Sequence, residues 1–140
     1  SELNDIGRDA IRRTAQALSE VLPCYTQISN ERANKLGCSD DQIAQLRSVT
    51  LEGHTDNVPM RPRGDLSDNL DLSVMRAASI VRALEKHAPL RGLVTDESNA
   101  VFSAAGFGAR RPINRHDSPV SDPANRRVEM RFTLRGPNVF

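Results

Sequence analysis

From Arg127 to Leu134 apolar and polar side chains alternate without a break: Val128, Met130, Phe132 and Leu134 against Arg127, Glu129, Arg131 and Thr133. Side chains along a strand point to opposite faces with a period of two, so this run predicts a β-strand with one covered face and one wet face. Gly136-Pro137 ends it. A sheet with one apolar face must bury that face against a second layer.

Amphipathic helices elsewhere in the chain can supply the layer. Residues 5–22 place Ile11, Leu18, Val21 and Leu22 on one helical face, with Ala10, Thr14 and Ala17 beside them. Asn4 or Asp5 can cap the start, Pro23 stops the helix, and Arg8, Arg12 and Arg13 make its solvated face. A second helix is expected from a Ser73 cap to about His87, with Val74, Ala77, Val81, Leu84, Ala88 and Ile80 as its apolar stripe and Pro89 as its stop. Ser48 to Glu52, with Val49 and Leu51 on one face, and Ala100 to Ala105, with Val101 and Phe102, read as two further strands. Between the first helix and the first strand lies a less regular stretch. Asn30 to Leu36 suits a short helix closed by Gly37, and Ser39-Asp40-Asp41-Gln42 is a capping box for another carrying Ile43 and Leu46. The order is helix, insert, strand, helix, strand, loop, strand. It implies an α/β fold, a two-layer sandwich with a small sheet and helices on one face, in a single domain over residues 1–140.

Two polar loops remain, 57–70 and 109–126; loops this long inside a compact domain are more often functional than idle. The net charge of +1 argues neither for nor against nucleic acid. Arg110-Arg111 and Arg126-Arg127 could contact phosphates, but the chain has no Trp and Tyr25 is its one tyrosine, so bases would find no stacking platform and no nucleic-acid partner is expected. No apolar run nears the ~20 residues of a membrane span, and no signal peptide is visible. The chain opens on Ser1 rather than Met, which reads as a piece of something longer.

The residues with the most chemistry follow the first strand. Gly53-His54-Thr55-Asp56 puts a carboxylate at a strand exit, and a Ser73 cap would put Arg76 in the first turn of the next helix. A cation there opposes the helix dipole by a few tenths of a kcal/mol, a cost that a docked carboxylate ligand would offset. Asp56 and Arg76 can therefore grip a ligand bearing both an ammonium and a carboxylate, or they can simply pair with each other. His54, alone between Gly and Thr, reads as a structural histidine bonded to backbone rather than a base or ligand. No His/Cys/Asp/Glu spacing makes a metal site, no nucleophile motif is present, and no cofactor or catalytic residue is implied. Gly106-Phe107-Gly108 lacks the third glycine of a dinucleotide loop and reads as a turn. Cys24 and Cys38 are either a disulfide closing a small loop or two buried thiols.

Taken in order, Gly53–Asp56, Asn69–Ala77, Gly106–Gly108 and Asn125–Glu129 resemble the signature of OmpA-like peptidoglycan-binding domains, from about residue 48 to the C-terminus. The resemblance implies a βαβαβ sandwich whose ligand is the free end of diaminopimelate in the peptidoglycan stem peptide. Asp56 would take the ammonium and Arg76 the carboxylate, with Thr55, Asn69, Leu72 and Arg126 lining the pocket. Gly-His-Thr-Asp-Asn-Val-Pro, with a long loop before Asn69, looks most like the stator B subunits of the MotB type, flagellar or of Zorya-type anti-phage systems. That subclass implies a homodimeric periplasmic domain of an inner-membrane-anchored protein, joined to a stator A-type membrane subunit through a preceding segment. Two features depart from the pattern. Only the tail of the family's first strand is recognisable, in Ser1 to Asn4, so that strand is absent or cut off. The insert at about 24–47 is unusual, and a periplasmic setting favours a Cys24–Cys38 bridge. The expected function is non-catalytic anchoring of a membrane complex to the cell wall. The alternative is a dimerisation or partner-docking module with wall binding secondary; a hydrolase using His54 and Asp56 would lack a second placed base or a metal ligand set.

Overall fold

The structure, a computed structural model, describes residues 5–39 and 45–135. In chain order it contains α1 (Asp5–Val21), a short 3-10 helix (Leu22–Tyr25), α2 (Asn30–Leu36), β1 (Gln45–His54), α3 (Asn69–Glu85), a second 3-10 turn (Ala88–Leu90), β2 (Phe102–Gly106) and β3 (Arg127–Arg135). The strands form a mixed three-stranded sheet in the order β2-β1-β3. The α/β class expected from the sequence is the one found. The residues matching the tail of the family's first strand lie outside the described residues.

By contact the described chain falls into two compact units, one of residues 50–81 and 103–131, the other of residues 5–39, 45–49, 82–102 and 132–135. α3 and all three strands contribute to both.

The first unit buries Leu51, Leu72, Ala77 and Val81. Two glycines let α3 press onto the strands. A Cβ on Gly53 would overlap the carbonyl oxygen of Ser73, and one on Gly106 would lie 2.5 Å from the Val74 nitrogen. Glu52 is buried too, with its carboxylate against Arg131 Nε at 3.0 Å.

α3 starts five residues earlier than the Ser73 cap would place it. Asp68 is the cap: its Oδ1 accepts from Asp71 N at 2.9 Å, and its carbonyl accepts the first helical bond, from Leu72 N at 3.1 Å. Nothing in Asn69-Leu70-Asp71-Leu72 breaks a helix, so the earlier cap prevails. Ser73 lies inside the helix; its hydroxyl donates to Leu70 O at 2.8 Å and accepts from Gly108 N at 2.9 Å. Val74 leaves the predicted stripe and is half exposed.

The second unit buries Leu18, Leu22, Leu46, Val49, Leu84, Leu90, Leu93, Val101 and Phe102. α1 stops at Val21, and Pro23 sits in the 3-10 turn that follows. α2 matches its sequence reading: Ser29 Oγ accepts from Arg32 N at 3.2 Å, and Gly37 closes the helix at φ 70°. Cys24 and Cys38 are joined in a disulfide, Cα to Cα 5.4 Å, bracketing α2. Closing a loop of this size contributes ~3 kcal/mol in the chain-entropy picture. The further helix expected after Ser39 is not formed at its far end, because Gln45 and Leu46 already belong to β1, the central strand. The rest of that stretch, 40–44, lies outside the described residues.

β3 has the predicted register but not the predicted cover. Met130, Phe132 and Leu134 are 37%, 48% and 53% exposed. Within the second unit Phe132 and Leu134 border an apolar groove of about 350 Å³ with Leu18, Val21, Leu22 and Leu46. Alternation reports which side chains share a face; it does not report whether a layer lies on that face, and among the described residues β3 is an edge strand.

Candidate functional site

All the predicted ligand-binding residues belong to the first unit. β1 ends at His54 and hands on to Thr55 and Asp56. Two backbone bonds pin the junction, Thr55 N to Gly108 O at 2.9 Å and Phe107 N to Gly53 O at 3.0 Å. Thr55 is buried, and its hydroxyl donates to Asp56 O at 2.8 Å.

Asp56 is buried and fully engaged on one oxygen. Its Oδ2 accepts from Arg126 Nη1 at 2.6 Å and from Asp122 N at 3.2 Å, while Oδ1 accepts from Val58 N at 3.2 Å. Burial alone would raise its pKa. The Arg126 hydrogen bond, the two backbone amides and the Arg126 charge outweigh burial and hold Asp56 below its ordinary value of 3.8, so it is a carboxylate at neutral pH. Arg126 also donates to Ser121 Oγ at 2.9 Å. Side chains alternate at the start of β3, and Arg127 accordingly goes elsewhere, to Glu129 Oε1 at 2.8 Å and Arg111 O at 2.9 Å.

Asn69, the first residue of α3, donates from Nδ2 to Val58 O at 3.0 Å and Asp56 O at 3.4 Å. Leu72 is buried in the core. Arg76 is half-buried, and its guanidinium makes no hydrogen bond or ion pair among the described residues. The pairing of Asp56 with Arg76 that the sequence left open is therefore not formed; the acid's partner is Arg126. Because α3 begins at Asn69, Arg76 sits in the helix interior, and the expectation that first-turn amides assist it is corrected.

Asn57, Asn125, Asp122 and His116, to which the sequence reading gave no site role, build the surroundings. Asn57 donates to Ser118 O at 3.0 Å and accepts from Val120 N at 2.8 Å, tying the 109–126 loop to the exit of β1. Asn125 is buried; its Oδ1 accepts from Ile113 N at 2.8 Å and Asn114 N at 3.0 Å, and its Nδ2 donates to Asn114 O at 2.9 Å. Asp122 Oδ2 meets His116 Nε2 at 2.8 Å, and this bond, with one from Asn114, lowers the Asp122 pKa. The available signal was chemical: an amide side chain both donates and accepts, so an asparagine in a polar loop can fasten backbone. Beside Asp56 these groups enclose a cavity of about 220 Å³, lined by Thr55, Asn57, Arg110, Arg115, His116 and Asn125 among others.

His54 differs from its expected role. It is buried, and neither ring nitrogen has a hydrogen-bond partner among the described residues. It stacks on Phe107, ring centroids 5.2 Å apart, and Arg111 lies over the Phe107 ring at 5.6 Å. Glu129 Oε2 is 3.6 Å from Nε2. Burial, then the Arg127 charge, push its pKa below 6.5 against the pull of Glu129 and Glu52. No group of three or more His, Cys, Asp or Glu side chains suited to a metal occurs among the described residues.

A mixed sheet with helices and an ionised carboxylate in a polar cleft at a strand exit define the class, an α/β domain whose polar groups are gathered on loops. The chain belongs to the OmpA family, whose model matches residues 24–126. It is 33% identical over 132 residues to Motility protein B of Bacillus subtilis (strain 168), a match that takes in 94% of this chain and 42% of that protein. The chain thus spans less than half the length of this curated relative. Its fold is also that of the C-terminal domain of Helicobacter pylori MotB, with a TM-score of 0.59 at 18% identity, covering 94% of this chain and 76% of that one. The periplasmic domain of the same protein gives a TM-score of 0.59 at 17% identity, covering 99% and 64%. At such identities the likeness establishes the fold.

Proposed function

We propose that residues 1–140 act as a single non-catalytic domain that binds the diaminopimelate part of peptidoglycan. In this reading Asp56 receives the ammonium at the free end of diaminopimelate and Arg76 receives its carboxylate. Thr55, Asn69, Leu72 and Arg126 shape the pocket. The observation that carries the proposal is a pair of opposite charges on rigid elements of one unit that are not spent on each other. Asp56 is held ionised, and its Oδ1 accepts one amide and retains a lone pair for a donor. Arg76 has no carboxylate partner among the described residues. A second guanidinium on Asp56 does not close the site, since Ser121 offers Arg126 another acceptor when an ammonium shares the carboxylate.

The relationship to Motility protein B supports a cell-wall anchor for a membrane complex, an ion-driven stator of the flagellar or anti-phage kind. The domain then lies in the periplasm as a homodimer and joins a stator A-type subunit through a membrane segment elsewhere in the protein. No helix among the described residues is long and apolar enough to cross a membrane. Co-sedimentation with diaminopimelate-type sacculi tests the proposal. Asp56→Ala and Arg76→Ala should each weaken binding roughly tenfold or more with the fold intact. Wild-type binding that neither variant alters would refute it.

One observation favours a second reading, a dimerisation or partner-docking module. The exposed apolar face of β3, with Phe132 and Leu134, suits a protein contact. Sedimentation velocity at rising concentration should show dimer that Phe132→Lys abolishes; monomer throughout removes the dimer form of this reading.

A further inference from the structure

We propose that the cavity bordered by Arg110, Arg115 and His116 is a second ligand subsite, which takes a carboxylate on the residue attached to the diaminopimelate. This rests on the function proposed above and specifies how far the ligand reaches.

Three observations point to an anion. First, two guanidinium groups border the cavity, those of Arg110 and Arg115, and no Asp or Glu is in its lining; the nearby Asp122 carboxylate is bonded to His116 and Asn114. Neither arginine side chain has a carboxylate partner among the described residues, whereas Arg126, Arg127, Arg131 and Arg135 are all paired. Guanidinium groups suit planar carboxylates by forked hydrogen bonding. Second, the walls are built in advance. Asn57 and Asn125 spend their amides on the backbone of the loop that carries Arg115 and His116, and Asp122 holds the imidazole. Little ordering of the backbone is left for a ligand to impose. Third, the cavity adjoins the clamp. Thr55 and Asn57, the chain neighbours of Asp56, are both in its lining. A ligand whose ammonium sits on Asp56 therefore lies beside this space, and its volume of about 220 Å³ is large enough for a carboxylate and water.

In a stem peptide the adjoining carboxylate can lie on either side, on the γ-linked D-glutamate or on the D-alanine. The shared chemistry is the carboxylate, and the experiment separates the sources. Isothermal titration would use γ-D-glutamyl-diaminopimelyl-D-alanine, the same peptide amidated at the glutamate, the same peptide amidated at the alanine, and free diaminopimelate. For wild-type protein, one amidation should weaken binding by roughly three- to tenfold, the range for a partly solvated guanidinium–carboxylate contact. That amidation should cost nothing in Arg110→Ala/Arg115→Ala, and free diaminopimelate should bind wild type and variant equally. The subsite is overturned if neither amidation separates wild type from variant, or if the variant loses free diaminopimelate as well. Wild-type protein that binds no diaminopimelate ligand would remove the clamp and the subsite together; binding that needs Asp56 but ignores both amidations removes the subsite alone.

Discussion

Arg126 Nη1 and Asp56 Oδ2 lie 2.6 Å apart although 70 residues separate them in sequence. The contact ties the start of β3 to the exit of β1 and keeps Asp56 charged. Arg126 is 38% exposed at its side chain and Asp56 10%, so water screens the pair from one side. A coupling energy of about 1 kcal/mol is expected rather than the several of a fully buried pair. A double-mutant cycle of Asp56→Ala, Arg126→Ala and the double variant, followed by urea unfolding at neutral pH, measures it. Additive single effects would show that the contact contributes nothing to stability.

Gly53 is required by packing rather than by backbone conformation. Any Cβ there meets the Ser73 carbonyl, which is helix backbone and cannot swing aside. Gly53→Ala should cost roughly 3 kcal/mol or more, the upper range for overpacking. The Asp56 junction should loosen with it, because Gly53 O accepts Phe107 N. Gly64 stands in open space, and Gly64→Asn should be tolerated within about 1 kcal/mol since Asn accepts its left-handed backbone. Equal losses for the two variants would contradict the packing account.

Much of the fold was legible because its signals are local. The stops at Pro23 and Gly37 are short-range steric effects, and the alternation over Arg127–Leu134 reports strand register directly. Two cap-like side chains stood five residues apart, Asp68 and Ser73, and periodicity alone could not choose between them; that choice moved Arg76 from the helix start to its interior. The exposure of Phe132 and Leu134 depends on what else lies against β3, which no local pattern encodes. At the site, the types and places of Asp56 and Arg126 were legible, but their pairing was not. Nor were the supporting bonds of Asn57, whose partner Ser118 is 61 residues away, or of Asn125, whose partners are 11 and 12 away across an irregular loop; neither separation leaves a trace in spacing.

The Cys24–Cys38 bridge encloses α2, a helix of seven residues with no buried side chain of its own. A helix this short is marginal without tertiary support. Reduction should therefore lower stability by ~3 kcal/mol and raise amide exchange most strongly between the two cysteines. Cys24→Ser/Cys38→Ser should unfold at the same urea midpoint as the reduced wild type. Hydrogen exchange with and without dithiothreitol checks the location, and protection lost evenly along the chain would show that the bridge acts on the whole fold instead.

His54 should govern the response of stability to mild acid. Its pKa in the folded chain is below the ordinary 6.5, because burial and the charges of Arg127 and Arg111 outweigh Glu129 and Glu52. The unfolded chain therefore binds more protons than the folded one just below pH 6.5, and stability must rise with pH across that window. Its contribution is complete above 6.5 and is lost as pH falls toward the folded pKa. Asp56, whose ordinary value is 3.8, and Glu129, at 4.5, are also lowered, but their contributions are lost only at more acid pH. His54→Phe keeps a ring against Phe107 and removes the titrating group. The denaturant midpoint of wild type should fall between pH 7 and about pH 5, while that of His54→Phe should stay level there and drop only with the carboxylates. An unchanged slope in the variant would mean that another group carries the acid sensitivity.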